Sequence, residues 1–247
     1  MFKELGPGLR LTLIFTILTG LIYPIGLTAL ARLIFPAKAN GSLVSAEGTT
    51  VGSSLIGQSF SRPEYFHPRP SSAGSGYDAS LSGGSNLGPT SAKLLRGTTK
   101  TDDQQHDVVD FGGVNLRIVH YCLDNDIPYD SSIPLDHFRN ADGSLDDAML
   151  IKAFNDEKSP LAFKARTAIP SDAVTGSSSG LDPHISPANA KMQTVHVARA
   201  RGISPDELES LIAQHTDRAS FGFLGESGVN VLMLNLELDN QFPIRKR

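Results

Sequence analysis

The chain has 247 residues, a single cysteine, no tryptophan and a net charge of −4 at neutral pH. The one cysteine, Cys122, excludes an internal disulfide and a zinc site built on cysteine spacing. The acidic balance and the lack of a basic patch argue against a nucleic-acid-binding protein, so we expect no nucleic acid partner.

An apolar run at residues 11–31 dominates the N-terminal region, and it contains neither a charged residue nor a histidine. As a helix, its about 21 residues would measure roughly 31 Å, close to the hydrocarbon thickness of a bilayer. The run therefore predicts a single transmembrane helix after a short tail, residues 1–10. A cleaved signal sequence and a buried core helix are alternatives, but the apolar region of a signal is shorter, and core helices seldom lack charge over such a length.

Small residues and a proline interrupt this run. Pro24 has no backbone N–H and predicts a kink. Gly20 and Gly26 lie on either side of Pro24 and would let a neighbouring helix approach closely. The lysines and arginines on the two sides of the run are nearly equal in number, so charge alone does not orient it. Because a large domain follows a short tail, we expect the tail inside and the domain outside.

Residues 40–247 predict one α+β domain, since strand and helix patterns follow one another without a repeat. A long segment rich in proline, glycine and serine, residues 62–89, carries the aromatic residues Tyr65, Phe66 and Tyr77. These aromatic side chains predict an ordered loop that packs on the domain. The elements predicted around this loop are a strand at residues 42–44, a strand that enters a loop within residues 52–60, and a helix at residues 89–96.

An acidic insertion is predicted at about residues 98–163. Residues 97–163 contain five lysines and arginines against thirteen aspartates and glutamates, a balance of −8. Short helices are expected at residues 114–123 and 148–154. The charge and the frequent turn signals predict a solvated, mobile excursion from the domain.

The C-terminal part carries the clearest helix signals. Ser186 followed by Pro187 predicts a helix start, and Gly202 predicts its end. A second start at residues 204–207 has the sequence of a capping box. Four leucines alternate at residues 229–238, which predicts a strand.

No motif predicts a catalytic or metal-binding residue. Residues 81–85 (LSGGS) look like the signature loop of ABC ATPases, but no Walker A pattern accompanies them. Asp124, Asp126 and Asp130 hint at a calcium loop that lacks its required glycine. Asp182 and His184 could serve as an acid–base pair, yet a local role for Asp182 in fixing its loop is favoured.

Several blocks of residues, in the same order, make the chain resemble the C subunit (KdpC) of the Kdp-type potassium-transporting P-type ATPases. The resemblance covers roughly residues 9–96 and 167–240. The matching blocks include Thr19-Gly20, Tyr23-Pro24, Phe35-Pro36, residues 39–43 (ANGSL), 55–58 (LIGQ), 82–89 (SGGSNLGP), 179–188 (SGLDPHISPA), 223–226 (FLGE) and 229–232 (VNVL).

The resemblance implies an accessory subunit with one membrane span in the bacterial inner membrane and no catalytic centre. Its implied partners are the P-type catalytic subunit and the potassium-channel-like subunit, together with membrane lipid. ATP and potassium would be handled by the complex, whose ATP affinity the subunit raises, and no cofactor of its own is expected. The candidate subunit-contact residues are Gly20, Tyr23, Pro24, Gly26, Ser82, Gly83, Gly84, Ser85, Asn86, Gly180, Asp182 and His184.

A second function stays open at this point. The chain could be a free-standing, membrane-anchored extracytoplasmic module that binds a ligand. In that case the glycine-rich loops would form the rim of the ligand site.

Overall fold

The computed structural model describes residues 5–244, and the chain divides into two compact units, residues 1–55 and residues 56–247. The first unit begins with a continuous helix of 30 residues, α1 (Leu5–Ile34), none of whose side chains is buried. Among the described residues it is the one helix long and apolar enough to cross a membrane. It extends the predicted run at both ends and is consistent with a membrane anchor.

The middle of α1 is a π-helical turn, Leu18–Ile22, which ends one residue before Tyr23 and Pro24. In a regular α-helix the proline ring would clash with the carbonyl of Gly20, and no N–H would bond to that carbonyl. A π turn changes the local hydrogen-bond spacing and relieves both problems. The irregularity predicted at Pro24 therefore takes the form of this wider turn.

The threonine hydroxyls of α1 are all bonded within the helix. Each donates a hydrogen bond to the carbonyl four residues earlier, over distances of 2.6–3.0 Å. Such internal bonding suits a hydrocarbon environment, where water is absent and an unpaired polar group is costly. The four donors are Thr12, Thr16, Thr19 and Thr28.

A short helix and a hairpin complete the first unit. Helix α2 (Pro36–Ala39) precedes the antiparallel strands β1 (Leu43–Ala46) and β2 (Thr49–Ser53). The first predicted strand is confirmed in position. The second, predicted as a strand that enters a loop within residues 52–60, begins three residues earlier, at Thr49, and gives way to the loop after Ser53.

The second unit mixes helices and short strands, so the α+β composition is confirmed. Its helices are α3 (Ala92–Arg96), α4 (Gly113–Asp124), α5 (Asp147–Phe154), α6 (Ser171–Val174), α7 (Pro187–Arg201), α8 (Pro205–Gln214) and α9 (Val231–Gln241), with a 3-10 turn at Leu135–Phe138. Its strands are β3 (Thr98–Thr101), β4 (Asp107–Phe111), β5 (Tyr129–Ser131), β6 (Phe163–Ala165), β7 (His184–Ile185), β8 (Thr216–Asp217) and β9 (Gly228–Asn230). All pairings are antiparallel: β3 with β4, β5 with β6, and β9 with both β7 and β8.

One hydrophobic core joins α7, α8 and α9. Buried residues of these helices, such as Val197, Leu211 and Leu234, pack together with Phe66 from the long loop. Phe66 is fully buried, and both its N–H and its carbonyl bond to the side chain of Asn235. The loop at residues 62–89 is therefore ordered and packed on the domain, as predicted.

The segment predicted as an acidic insertion, residues 98–163, has a second hydrophobic core, so the prediction that it is a solvated excursion is wrong. Its helices α4 and α5 were predicted correctly within one residue at each end. They share this core with the 3-10 turn at Leu135–Phe138 and with the residues just before β6, and its buried residues are Leu116, Val119, Leu135, Phe138, Leu150, Ile151, Phe154 and Leu161. Most acidic residues of the segment lie outside the two helices, which contain one each, Asp124 in α4 and Asp147 in α5.

The last element differs in kind from its prediction. The segment predicted as a strand at residues 229–238 forms only a short strand, β9, and then turns into helix α9. Asn230 caps the helix by accepting a hydrogen bond from the N–H of Met233. An asparagine at this position supplies one of the acceptors that the first helical turn lacks.

Candidate subunit-contact site

Two glycine- and serine-rich loops of the domain, residues 82–88 and 176–184, lie directly against each other. The N–H of Gly83 donates to the carbonyl of Ser179 at 2.8 Å, and the Ser82 hydroxyl donates to the same carbonyl at 2.9 Å. The Ser71 hydroxyl donates to the carbonyl of Gly180 at 2.6 Å, which ties in the long loop. The structure thus brings the predicted residues of both loops together.

Glycine is required at two positions where these loops touch. A Cβ at Gly84 would lie 2.8 Å from the carbonyl oxygen of Ser178. Gly180 has φ +68, and a Cβ there would lie 2.5 Å from the carbonyl oxygen of Gly83. Because the obstructing atoms belong to the backbone, they cannot rotate away. Gly84 and Gly180 therefore serve the packing of the domain itself.

The exposed edge of these loops consists of other candidate residues. Ser82, Ser85 and Asn86 are exposed, and Asn86 adopts a left-handed conformation with φ 53. A Cβ at Gly83 would meet nothing closer than 4.0 Å. A partner could reach these four, and it could also reach the His184 side chain, which is 37% exposed.

Asp182 and His184 belong to a cluster of charged side chains. The Arg69 guanidinium pairs with Asp182 at 3.0 Å and also donates to the carbonyls of Thr175 and Gly176. Asp182 in turn accepts a hydrogen bond from the N–H of His184 at 2.9 Å. The cluster therefore holds residues 175–184 in place, which is the local role predicted for Asp182.

The charges of this cluster shift the titration of both candidate residues. The His184 side chain, the His184 N–H and the Arg69 guanidinium hold the pKa of the Asp182 carboxyl below its usual value. The pKa of His184 is raised, chiefly by Asp182 and then by Asp217, whose carboxylate lies 3.5 Å from the ring. These shifts favour the charged forms and so stabilise the ion pairs.

The candidates in the anchor helix face open space within this chain. Tyr23 is 64% exposed, and a Cβ at Gly20 or Gly26 would meet nothing within 4 Å. A larger residue at either glycine therefore meets no obstacle from the helix itself. A group that packs closely against Gly20 or Gly26 would therefore have to come from outside the described residues of this chain.

A cleft of about 380 Å³ opens on the domain between the long loop, α4 and α7. The Tyr121 hydroxyl donates to the Asn189 side chain at 2.8 Å, and the Gln193 amide bonds to both the N–H and the carbonyl of His67. These groups are therefore already paired and do not point at a missing ligand. This network was not predicted from the sequence, although Asn189 and Gln193 lie four residues apart on the face of α7 that also carries Ala190 and Val197.

No group of three or more histidine, cysteine, aspartate or glutamate residues with the spacing of a metal site occurs among residues 5–244. Cys122 is buried, and burial raises the pKa of its thiol to about 11. A thiol of this kind stays protonated at neutral pH and is a poor nucleophile.

A family model described as the K+-transporting ATPase c chain, KdpC, matches residues 5–112 and 140–240. The chain belongs to the KdpC family. The match includes the anchor helix, both glycine-rich loops and the C-terminal helices, and it passes over residues 113–139, which lie in the segment predicted as an insertion.

Curated relatives align over nearly the full chain. Proteins named potassium-transporting ATPase KdpC subunit are 42% identical in Mycobacterium bovis (BCG Pasteur), 41% identical in Koribacter versatilis and 39% identical in Beijerinckia indica. The alignments cover 97%, 99% and 100% of this chain and 99%, 98% and 98% of the relatives. The resemblance seen in the sequence blocks is thereby confirmed.

Proposed function

We propose that this chain is a non-catalytic accessory subunit of a potassium-transporting P-type ATPase in a bacterial inner membrane. It holds the assembly together and raises the affinity of the catalytic subunit for ATP, while other subunits bind ATP and potassium. The proposal rests on one observation: the KdpC family model matches both the anchor helix and the domain.

The sequence supports a non-catalytic role. It contains neither a Walker A pattern nor the Asp-Lys-Thr-Gly phosphorylation motif of P-type ATPases. With the domain outside the cell, an effect on cytosolic ATP binding would pass through the membrane helices. Gly20 and Gly26 offer the space that such helix contact needs, since packing rather than hydrophobicity drives helix association in lipid.

The free-standing ligand-binding module has less support. Its proposed ligand rim, the glycine-rich loops, is closed by hydrogen bonds between the loops themselves. In the cleft, Tyr121, Asn189 and Gln193 are bonded to one another and to the backbone of His67. We therefore favour the subunit.

Replacing Gly20 by leucine should weaken the assembly of the complex. A Cβ at this position meets nothing within 4 Å, so an effect on assembly reports on a neighbouring helix. We expect roughly tenfold less catalytic subunit to co-purify with Gly20→Leu in mild detergent, and a higher KM for ATP in the complex that remains. Quantitative mass spectrometry and ATP hydrolysis at graded ATP concentrations measure the two effects.

The matched control is Leu21→Ile, a change of similar apolar character at an exposed neighbouring position. It should leave co-purification unchanged. Assembly of the Gly20→Leu variant at the level of the parent would place the interface elsewhere, and ATP hydrolysis by the isolated chain would contradict the accessory role.

The orientation can be tested at Ser45, an exposed residue of β1. With the domain outside, the Ser45→Cys variant should react with a membrane-impermeant maleimide in intact spheroplasts. The parent should stay unlabelled because Cys122 is buried and its thiol is protonated. Labelling only after lysis would reverse the orientation, and a mature protein that begins near Lys38 would show cleavage of a signal sequence.

A further inference from the structure

The loop between β8 and β9 presents the two most exposed large apolar side chains of the domain, Phe221 at 89% and Phe223 at 76%. Leu224 of the same loop is 52% exposed. Two phenyl rings and a leucine amount to roughly 400 Å² of apolar surface, as much as the largest patch on a typical monomer. A patch of this size at the tip of a loop indicates a binding surface.

The backbone of this loop is closed by its own hydrogen bonds. Ser220 and Leu224 exchange two bonds of 2.9 Å, and the N–H of Gly222 and that of Phe223 bond to the carbonyls of Ala219 and Ser220. The loop is thus a small hairpin whose shape does not depend on a partner. A preformed loop loses little conformational entropy on binding.

Phe221 adopts a backbone conformation that is unfavourable for its type. Its φ is +55, in the left-handed region, where a bulky residue is an outlier. Glycine or asparagine would adopt the same conformation more easily. The phenyl ring therefore serves a purpose other than the stability of the loop.

The loop adjoins residues that were predicted as subunit contacts. Asp217, at the last position of β8 before the loop, lies 3.5 Å from the ring of His184. His184 pairs with Asn230 of β9, the strand that follows the loop. The loop that carries Phe221 and Phe223 therefore lies at the same sheet, formed by β7, β9 and β8, as the cluster of Asp182 and His184.

Charge distinguishes a protein partner from a lipid surface. The negative charge of the domain is concentrated in residues 97–163, which carry −8, whereas the loop is flanked by Asp217, Arg218 and Glu226, a local net charge of −1. Loops that bind anionic membranes carry clustered lysine or arginine, or interfacial tryptophan and tyrosine. The loop contains no tryptophan or tyrosine, and Arg218 is its one basic residue.

We propose that Phe221 and Phe223 are anchors that insert into an apolar recess on another subunit of the same ATPase. The inference rests on the proposed function, which supplies the partner, and it names the surface that engages it. Aromatic side chains in protein interfaces commonly contribute more than their share of the affinity.

The first test uses the full chain expressed with the other subunits of its complex. The double variant Phe221→Asn/Phe223→Ser keeps a residue at position 221 that tolerates a positive φ. Its co-purification with the partner subunits in mild detergent should fall about tenfold or more. The matched control Val195→Gln removes a side chain that is 51% exposed on α7 and should assemble like the parent. The purified double variant should melt within a few degrees of the parent.

The second test uses the lack of tryptophan in the chain. In the Phe223→Trp variant the single indole reports on the loop. The variant alone is reconstituted into vesicles of phosphatidylethanolamine and phosphatidylglycerol, with or without brominated lipid. We expect equal fluorescence in both, because the loop stays in water until a partner subunit covers it.

Each alternative gives a different result. Assembly of the double variant at the parent's level, or quenching of Phe223→Trp by brominated lipid, would overturn the proposal, the latter by assigning the loop to the bilayer. A parent dimer that becomes a monomer in the double variant would assign it to a second copy of the chain and overturn it as well. Failure of the parent itself to retain any ATPase subunit would instead refute the proposed function.

Discussion

Replacing Gly84 by valine is expected to lower the free energy of unfolding by about 2–3 kcal/mol. A Cβ at this position lies 2.8 Å from the carbonyl oxygen of Ser178 and 3.2 Å from that of Ser177. Both oxygens belong to the facing loop, so the two loops would have to separate and give up the bond between Gly83 and Ser179. Chemical denaturation of the purified full chain, followed by circular dichroism, measures the loss.

The matched control for this variant is Gly83→Ala, one residue earlier in the same loop. A Cβ there meets nothing closer than 4.0 Å, so the free energy of unfolding should change by less than about 0.5 kcal/mol. Equal stability of the two variants would contradict the packing described for the loops. If the expected difference is found, reduced assembly of Gly84→Val reports on the fold, whereas reduced assembly of Gly83→Ala reports on a contact.

Replacing Arg201 by methionine should destabilise the domain by about 3 kcal/mol. The Arg201 side chain is 1% exposed, pairs with Asp239 at 2.8 Å and lies 4.8 Å from the centre of the Tyr65 ring. It also donates to the carbonyls of Glu64 and Phe242. The substitution fills the space but leaves these acceptors without their donor, which is costly in a buried site. Denaturation of the purified chain again provides the measurement.

The same helix supplies the control for Arg201→Met. Arg199 lies two residues earlier and pairs with Asp126, but its side chain is 64% exposed. Because exposed ion pairs contribute little, Arg199→Met should cost less than about 1 kcal/mol. A similar loss for both variants would mean that burial of Arg201 does not determine its contribution.

Helix starts and ends were predictable because their signals are local. Ser186 and Ser204 cap α7 and α8 as expected, and the capping box with Glu207 forms in both directions. Gly202 ends α7 in the left-handed conformation with φ 70. In each case the residues that interact lie within four positions of one another, so the pattern contains the whole interaction.

The C-terminal helix was mistaken for a strand because two periodicities coincide. Alternating leucines fit a strand, but the buried residues are Val231, Leu232, Leu234, Asn235 and Leu238, which follow helical spacing. The deciding residue is Asn235, whose buried amide bonds to the backbone of Phe66. That partner is 169 positions away, and no local pattern reveals it.

Distant contacts also explain what composition missed at the candidate site and in the insertion. The sequence shows that a loop is rich in glycine but not which glycine faces another backbone, as Gly84 faces Ser178. In the segment predicted as an insertion, the net charge of −8 reflects exposed residues and gives no sign of the second hydrophobic core. The exposure of Phe221 and Phe223 was likewise invisible, since phenylalanine is most often an interior residue.

The π-helical turn at Leu18–Ile22 changes which residues of the anchor helix share a side. Each α-helical residue rotates about 100° around the axis, and a π turn adds roughly one residue, so the second half is displaced by about 100° in angular phase. A helical wheel drawn straight through Leu5–Ile34 therefore assigns residues of the two halves to the wrong sides. Two neighbouring helices can accordingly contact this one helix from different directions, and Pro24 fixes the level at which the change occurs.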